Sequence, residues 1–401
     1  MLWDALTLQL GYNATLVAIG ATLLGVSAGV TGTFLFLRKR ALVSDAISHA
    51  TLPGVCLAFL VLIAFGADGR NLIGLLSGSA ISAWIGLLCM NWLTRHTRLE
   101  EDAAIGAVLS VFFGFGIVLL TVIQTMGVGR QAGLEGFLLG STAGMLWADA
   151  MTIAIGGAAT LALVMILRRP MTLVAFDPDY ARANGLSVPR IDLAMMGLAM
   201  AVTVVGLKIV GLILIVALLI IPAVTARFWS DRSDRVVLLA GLVGGAAGYI
   251  GAAVSASAPN LPTGPIIVLV SFAFFGVSLF VAPVRGVLAA VMRHLRFQRR
   301  VHIRQGLLAL AQGQKIYEPL TIRLLQRAGL ARADGVATEA GKARAAKALR
   351  DEKRWDVVRA DQSHEATAAL YDGLRDIETV LTRDQIEDID RRLGNPHEVP
   401  A

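Results

Sequence analysis

The chain has 401 residues, 56% of them hydrophobic and only 16% charged, with a mean hydropathy of +0.67. Soluble globular proteins carry about a quarter charged residues, so these values exclude that class and indicate a polytopic membrane protein. The net charge of +7 is what basic loops on one membrane face produce, and it is no nucleic-acid signature in itself. Cys56 and Cys89 lie alone in different apolar runs without a CxxC spacing, which leaves them as packing residues.

In chain order, apolar runs predict spans at 12–37, 50–66, 71–93, 103–125, 147–167, 190–208, 209–227, 236–257 and 265–289. That makes about nine helices, each near the ~20 residues needed to cross ~30 Å of hydrocarbon. Asp4 rather than a basic stretch precedes the first span and Arg38, Lys39 and Arg40 follow it, so it is expected to remain uncleaved. Basic residues recur after alternate spans, as Arg95 and Arg98, then Arg168, Arg169, Arg182 and Arg190, then Arg227, Arg232 and Arg235; the other side has Arg70, Arg130 and Lys208. The positive-inside rule therefore puts the N-terminus outside and the C-terminus in the cytoplasm of a multi-pass inner-membrane protein. The small-residue runs SAGVTGT, GLLSGSA and GLVGGAAGYIGAA predict closely approaching helix backbones.

Residues 41–54, ALVSDAISHATLPG, place Asp45 and His49 four apart in an otherwise small or apolar stretch that feeds into the second span. On a helix this is about one turn of ~5.4 Å, so both side chains share a face and can hold one cation. An ionisable group within a bilayer costs ~2.5–3.5 kcal/mol on insertion scales, which makes the pair a candidate site. A carboxylate with a neutral imidazole suits Mn²⁺, Fe²⁺ or Zn²⁺ better than Ca²⁺ or Mg²⁺. Two ligands leave coordination positions for a second subunit or for water, and an incomplete site lets a permeant ion leave. Alternatively the pair bonds to itself or caps backbone groups, with Arg38–Arg40 near enough in sequence to neutralise Asp45.

Further along, Glu100, Glu101 and Asp102 open the fourth span, where acids favour a helix N-terminus. The stretch 174–192, VAFDPDYARANGLSVPRID, carries a turn at Asp177-Pro178, a short potential helix around Tyr180–Ala183 and Gly185 as its C-cap. Such a helix suits a partner's groove, and an ordinary surface loop is the plain alternative. Asn260–Pro265 reads as a rigid outer turn. No GxxxxGK[ST] occurs, so the chain has no P-loop and active transport would draw its energy from another subunit or an ion gradient. His96, His294, His302, His364 and His397 fall in segments expected in the cytoplasm, so capture of an ion outside is expected to fall to a partner.

Hydropathy stops near residue 291, dividing the chain into a transmembrane domain, 1–291, and a domain-sized tail, 292–401. The tail has a basic half followed by an acidic half. Helices are expected at 303–312, 319–328, 342–360, 366–380 and 383–393, with Gly329 and Gly335 marking a short hairpin, a pattern that suggests a winged helix.

ALVSDAISHATLPG, LEEDAAIG at 99–106, FDPDYARANG at 176–185, VGLILIVALLIIPAVTAR at 210–227 and NLPTGP at 260–265 occur in this order. Together they resemble the membrane-permease subunits of ABC importers for manganese, zinc or iron, over roughly residues 10–290. The resemblance implies an all-α type II importer permease fold, a second permease subunit (a second copy or a paralogue), two ATPase subunits and an extracytoplasmic metal-binding protein. It implies a non-ATPase subunit rather than a self-sufficient enzyme, with the metal as cargo and no bound cofactor. Asp45 and His49 then match the family's pathway positions, and Asp177, Pro178, Ala181 and Gly185 its ATPase-coupling segment. A secondary ion-coupled metal transporter is the alternative; it would need intramembrane acids in matched halves.

The tail, over 306–345, 348–358 and 374–396, resembles iron-dependent repressors of the diphtheria toxin repressor type, a winged helix followed by a metal-binding dimerisation domain. It departs from that pattern where metal is bound. Glu352 and Asp356 stand for a His/Glu pair, and Arg375, Glu378 and Thr379 for a Cys-x-x-Glu-His cluster, so only Glu378 keeps its identity. Arg323, Gln326 and Arg327 are the candidate DNA or docking contacts. Docking on the ATPase, the membrane lipid surface or the tail's own acidic half is favoured over nucleic acid and over a membrane-tethered metal- or DNA-responsive regulator.

Overall fold

The computed structural model describes residues 11–66, 71–126, 145–258, 261–361 and 365–394, with isolated positions at 3, 7, 9 and 69. Arg70, Arg130, Asn260, His364 and His397 fall outside these residues. Two compact units emerge, 1–289 and 290–401.

Among the described residues the first unit consists of α1 (Tyr12–Leu37), α2 (Val43–Ala64), α3 (Leu72–His96), α4 (Glu101–Thr125), α5 (Trp147–Phe176), the short α6 (Pro178–Ala183), α7 (Val188–Val210), α8 (Leu212–Trp229), α9 (Ser233–Ala256) and α10 (Thr263–Val281). Eight of these helices are long and apolar enough to span a membrane, and α8 contributes a shorter apolar stretch, Leu214–Trp229. Their number agrees with the hydropathy reading, while several boundaries do not. The second helix begins at Val43, well before residue 50, because helical backbone bonding extends through a stretch whose hydropathy is lowered by the polar Asp45 and His49. The fifth continues through Pro170 to Phe176. The last span ends at Val281; residues 282–286, which include Pro283, interrupt the chain before a new helix starts at Val287.

Backbone proximity organises the packing. The α1 glycines lie against α9, so that a Cβ on Gly25 would collide with the Gly244 carbonyl and one on Gly29 with that of Ala240. Lipid tails give no hydrophobic drive to helix association, so such close approach supplies the van der Waals contact that holds the bundle. Gly211 alone separates α7 from α8, and its φ of 77° is a conformation that only glycine adopts at little cost.

The tail holds α11 (Val287–Ala311), α12 (Pro319–Arg327), α13 (Glu339–Ala360), α14 (Glu365–Ala368), a 3₁₀ turn at Ile377–Thr379 and α15 (Arg383–Gly394). Its hairpin is minimal, an antiparallel bridge between Ala331 and Ala337, and Thr338 caps α13 by accepting from Gly341 N–H at 3.0 Å. The helix expected at 366–380 does not form. Asp372 accepts from the N–H groups of Leu374 (2.9 Å) and Arg375 (2.7 Å), and Gly373 adopts φ 72°; this Asp-Gly turn competes successfully with helix. Trp355, Val358 and Ile377 are fully buried in one cluster, and Leu307, Leu325 and Leu330 form another.

Candidate transport site

Three helix ends meet through charge beside the Asp45–His49 segment. Arg38, just past α1, reaches Asp192 in the first turns of α7, with Nε–Oδ1 at 2.9 Å. Arg40 bonds to both Asp192 (3.2 Å) and Glu101, the first residue of α4 (2.7 Å). Asp192 is buried and its two arginines are largely so, which makes this junction costly to break. Sequence reasoning missed Asp192, which lies 154 residues from Arg38, and took Glu101 only as a helix-terminus acid. The consequence is that the arginines adjacent to Asp45 have other carboxylates to neutralise.

Asp45 and His49 occupy the first turns of α2, where helical geometry puts Asp45 Oδ1 3.4 Å from His49 Nε2. The imidazole meets the Phe113 ring of α4 edge-on, with centroids 4.7 Å apart, and its buried Nδ1 has no hydrogen-bond partner. Pro53, one turn on, lies within α2; it has no N–H to offer the His49 carbonyl, so the helix backbone is also unsaturated here. The site therefore presents one carboxylate and one imidazole, both half-buried. Among the described residues no group of three or more His, Cys, Asp or Glu side chains could hold a metal ion, so the pair offers two candidate donor groups and no closed cage.

The residues of the candidate coupling segment build α6. Asp177 caps it by accepting from Tyr180 N–H at 2.9 Å, and Pro178 takes the first helical position, where its missing N–H is not needed. Ala181 is fully buried in the core shared with Met171, Val174 and Val188. Gly185, at φ 79°, ends the helix, and Leu186 N–H closes on the Ala181 carbonyl at 3.0 Å. These four residues shape the helix, whereas Asp179, Tyr180 and Arg182 are its exposed surface.

In the tail Arg323 and Arg327 are exposed, while Gln326 donates to the Arg332 carbonyl at 3.1 Å and so braces the hairpin. The carboxylates at the repressor-like positions are engaged by cations of the chain itself. Glu378 accepts from Lys347 at 3.1 Å, Glu352 from Arg304 at 3.2 Å and from the Tyr371 hydroxyl, and Asp356 pairs with Arg359. The bond to Glu378 pushes Lys347 above its ordinary value, and burial, followed by the bond to Glu352, raises Tyr371.

Residues 12–282 match the model of the ABC 3 transport family. The manganese transport system membrane protein MntC of Bacillus subtilis is 39% identical over 310 residues, 77% of this chain and 70% of the relative. The zinc transport system membrane protein TroC of Treponema pallidum is 38% identical, covering 71% of this chain and 94% of the relative. Among solved structures, PsaBC from Streptococcus pneumoniae in complex with Fab superposes with a TM-score of 0.62 at 29% identity, over 74% of this chain and 100% of that one. A metal-chelate type ABC transporter in an inward-facing conformation, 16% identical with a TM-score of 0.53 over 65% of this chain and 84% of that one, shares the fold. The family match stops at the end of the membrane unit and leaves the tail outside it. A family model spanning the whole bundle, with relatives at this level of identity, assigns the chain: it belongs to the ABC 3 transport family.

Proposed function

We propose that the chain is the permease subunit of an ATP-driven importer of a divalent transition metal in the bacterial cytoplasmic membrane. ATP would be hydrolysed by partner ATPase subunits, and the ion would be delivered by an extracytoplasmic metal-binding protein. The relatives are named for manganese and zinc; iron enters through ligand chemistry alone. A second permease subunit, identical or paralogous, completes the assembly. The N-terminus lies outside and the C-terminus in the cytoplasm, in line with the basic residues that follow α1, α3, α5 and α8.

The observation that carries this reading is the Asp45–His49 pair, set beside two arginines that are occupied elsewhere. An arriving cation replaces the contact between Asp45 Oδ1 and His49 Nε2 with bonds to each. The imidazole then keeps its proton on Nδ1 and is steadied edge-on by Phe113. Because Arg38 and Arg40 are held by Asp192 and Glu101, neither of them competes for Asp45. Two protein ligands bind a divalent ion weakly enough to release it. The exposed Asp179, Tyr180 and Arg182 of α6 meet the ATPase, and Asp177, Pro178, Ala181 and Gly185 keep that surface in shape. The tail serves as a docking module; its repressor-like acids already bond to internal cations, which argues against metal sensing there.

Uptake of Mn²⁺, Zn²⁺ and Fe²⁺ by the reconstituted complex tests the proposal. Asp45→Asn and His49→Ala should each lower uptake of the cognate ion by at least the ~10–100-fold that changes around a metal site typically cost. Unchanged uptake in both variants would remove the pair from the pathway.

A further inference from the structure

The first half of α11 has no role in the transport reading, yet it combines two features that point to one ligand. Leu288, Val291, Met292 and Leu295 are 53%, 49%, 50% and 57% exposed and recur at helical spacing, so they form a continuous apolar stripe along one face. Around them the segment 285–300 carries five arginines, Arg285, Arg293, Arg296, Arg299 and Arg300, and no acid occurs between Asp234 and Glu318. Every residue from 290 to 300 is exposed. This helix begins six residues after α10 ends at Val281, so its position along the chain is juxtamembrane.

We propose that residues 287–300 form an interfacial helix bound to the anionic phospholipid of the cytoplasmic leaflet. This rests on the reading of α10 as the last span. An exposed apolar stripe flanked by arginine is the composition of helices that lie in the headgroup region, with the apolar face buried ~5–10 Å into the acyl boundary. Arg296 lies on the flank of the stripe, and Arg299 extends it by one turn; from these positions the long side chains reach headgroup phosphates while their stems stay in apolar surroundings. Arg285 is held by Asp231; the arginines further along the helix, with no acid among them, distinguish an anionic leaflet from a zwitterionic one. A protein partner would be equally served by the apolar stripe, but the absence of any carboxylate over this length selects a uniformly negative surface. Binding there would tether the tail close to the membrane in an anionic-lipid-dependent and salt-dependent way, giving membrane composition a route to the permease.

The test uses the full-length chain in vesicles of phosphatidylcholine with or without phosphatidylglycerol, carrying a nitroxide at Leu295→Cys in a Cys56→Ser/Cys89→Ser background. Accessibility to oxygen and to a water-soluble nickel chelate reports its surroundings. In phosphatidylglycerol vesicles at low salt the label should favour oxygen; in phosphatidylcholine alone, or at high salt, it should shift toward the chelate. Arg296→Gln/Arg299→Gln should move that shift to lower salt. A label that stays aqueous in both lipids, or one shielded from both reagents in both lipids, as under a protein partner or a second copy, would overturn the proposal. A label at Phe272→Cys, on the exposed face of α10, separates the two readings. If it favours oxygen in both lipids while the label at 295 stays aqueous, α10 is a span and the interfacial helix alone fails; if it too is aqueous, the span reading fails.

Discussion

In the membrane unit ion pairs gather at helix ends, Arg38 and Arg40 with Asp192 and Glu101, Arg227 and Arg285 with Asp231, Arg168 with Asp234, while the helices between them touch through glycine and backbone. The tail also places a charge cluster inside. Arg354, 9% exposed, joins Asp351, 1% exposed, to Asp390 of α15 beside the buried Trp355. A lipid-facing bundle has no water with which to solvate charge along its length, so it confines ion pairs to the borders and relies on surface fit. A small water-exposed domain can fix helix orientation with buried ion pairs that remain partly solvated. The difference gives Asp45 and His49 their meaning, because among the described residues the ion pairs that join different helices of the first unit lie toward helix ends.

The comparison breaks most severely at the backbone contact of α1 with α9. Gly25→Leu should cost more than the ~1–3 kcal/mol of ordinary overpacking, since the obstacle is main chain rather than a movable side chain. Gly276→Leu, where a Cβ meets nothing within 4 Å, should leave the fold intact; thermal melting in detergent compares the two. In the tail, Arg354→Met leaves Asp351 buried without its cation and should destabilise that unit by about 3 kcal/mol, read as lost amide-exchange protection in α13 and α15 with α1–α10 unchanged. Asp192→Asn should cost about 2 kcal/mol, less because Arg38 and Arg40 keep some solvent and Glu101. It should also lower uptake, since Arg38 then loses its only carboxylate partner among the described residues and is released toward Asp45.

A pH titration sharpens the tail side. The bond from Arg354 holds Asp390 below the usual carboxylate range, so its stabilisation is present above the unfolded value of ~3.9 and is lost as pH falls through the lower folded value. Burial raises Asp351, and this group acts oppositely, weakening the fold as pH rises through the unfolded value. Protection of α15 should therefore fall in acid in the wild type, and Arg354→Met should flatten that fall. The smallest effect on stability belongs to Tyr180→Ala, an exposed position on α6, which should shift the melt by less than ~0.5 kcal/mol while reducing ATP-driven uptake.

Hydropathy made the bundle legible because apolar length is a direct requirement for crossing lipid. It misplaced the start of α2 for the same reason, since Asp45 and His49 are polar while the helix there is set by backbone bonding. The spacing of that pair was readable because it lies within one helical turn. Asp192 was not, because its partner Arg38 is brought to it only when α1 and α7 pack. In the tail, the Asp372-Gly373 turn was overlooked within an amphipathic pattern that periodicity alone assigns to helix.

The central claim is that Asp45 and His49 act together on one cation, and a double-mutant cycle on metal uptake tests it most directly. Initial uptake rates would be measured in the reconstituted complex for the wild type, Asp45→Asn, His49→Ala and the double variant, with ATP hydrolysis followed in the same samples. Two ligands of one ion predict that the double variant is scarcely worse than either single variant, since losing one ligand already empties the site. Losses that multiply would contradict the account, showing two residues that affect transport independently.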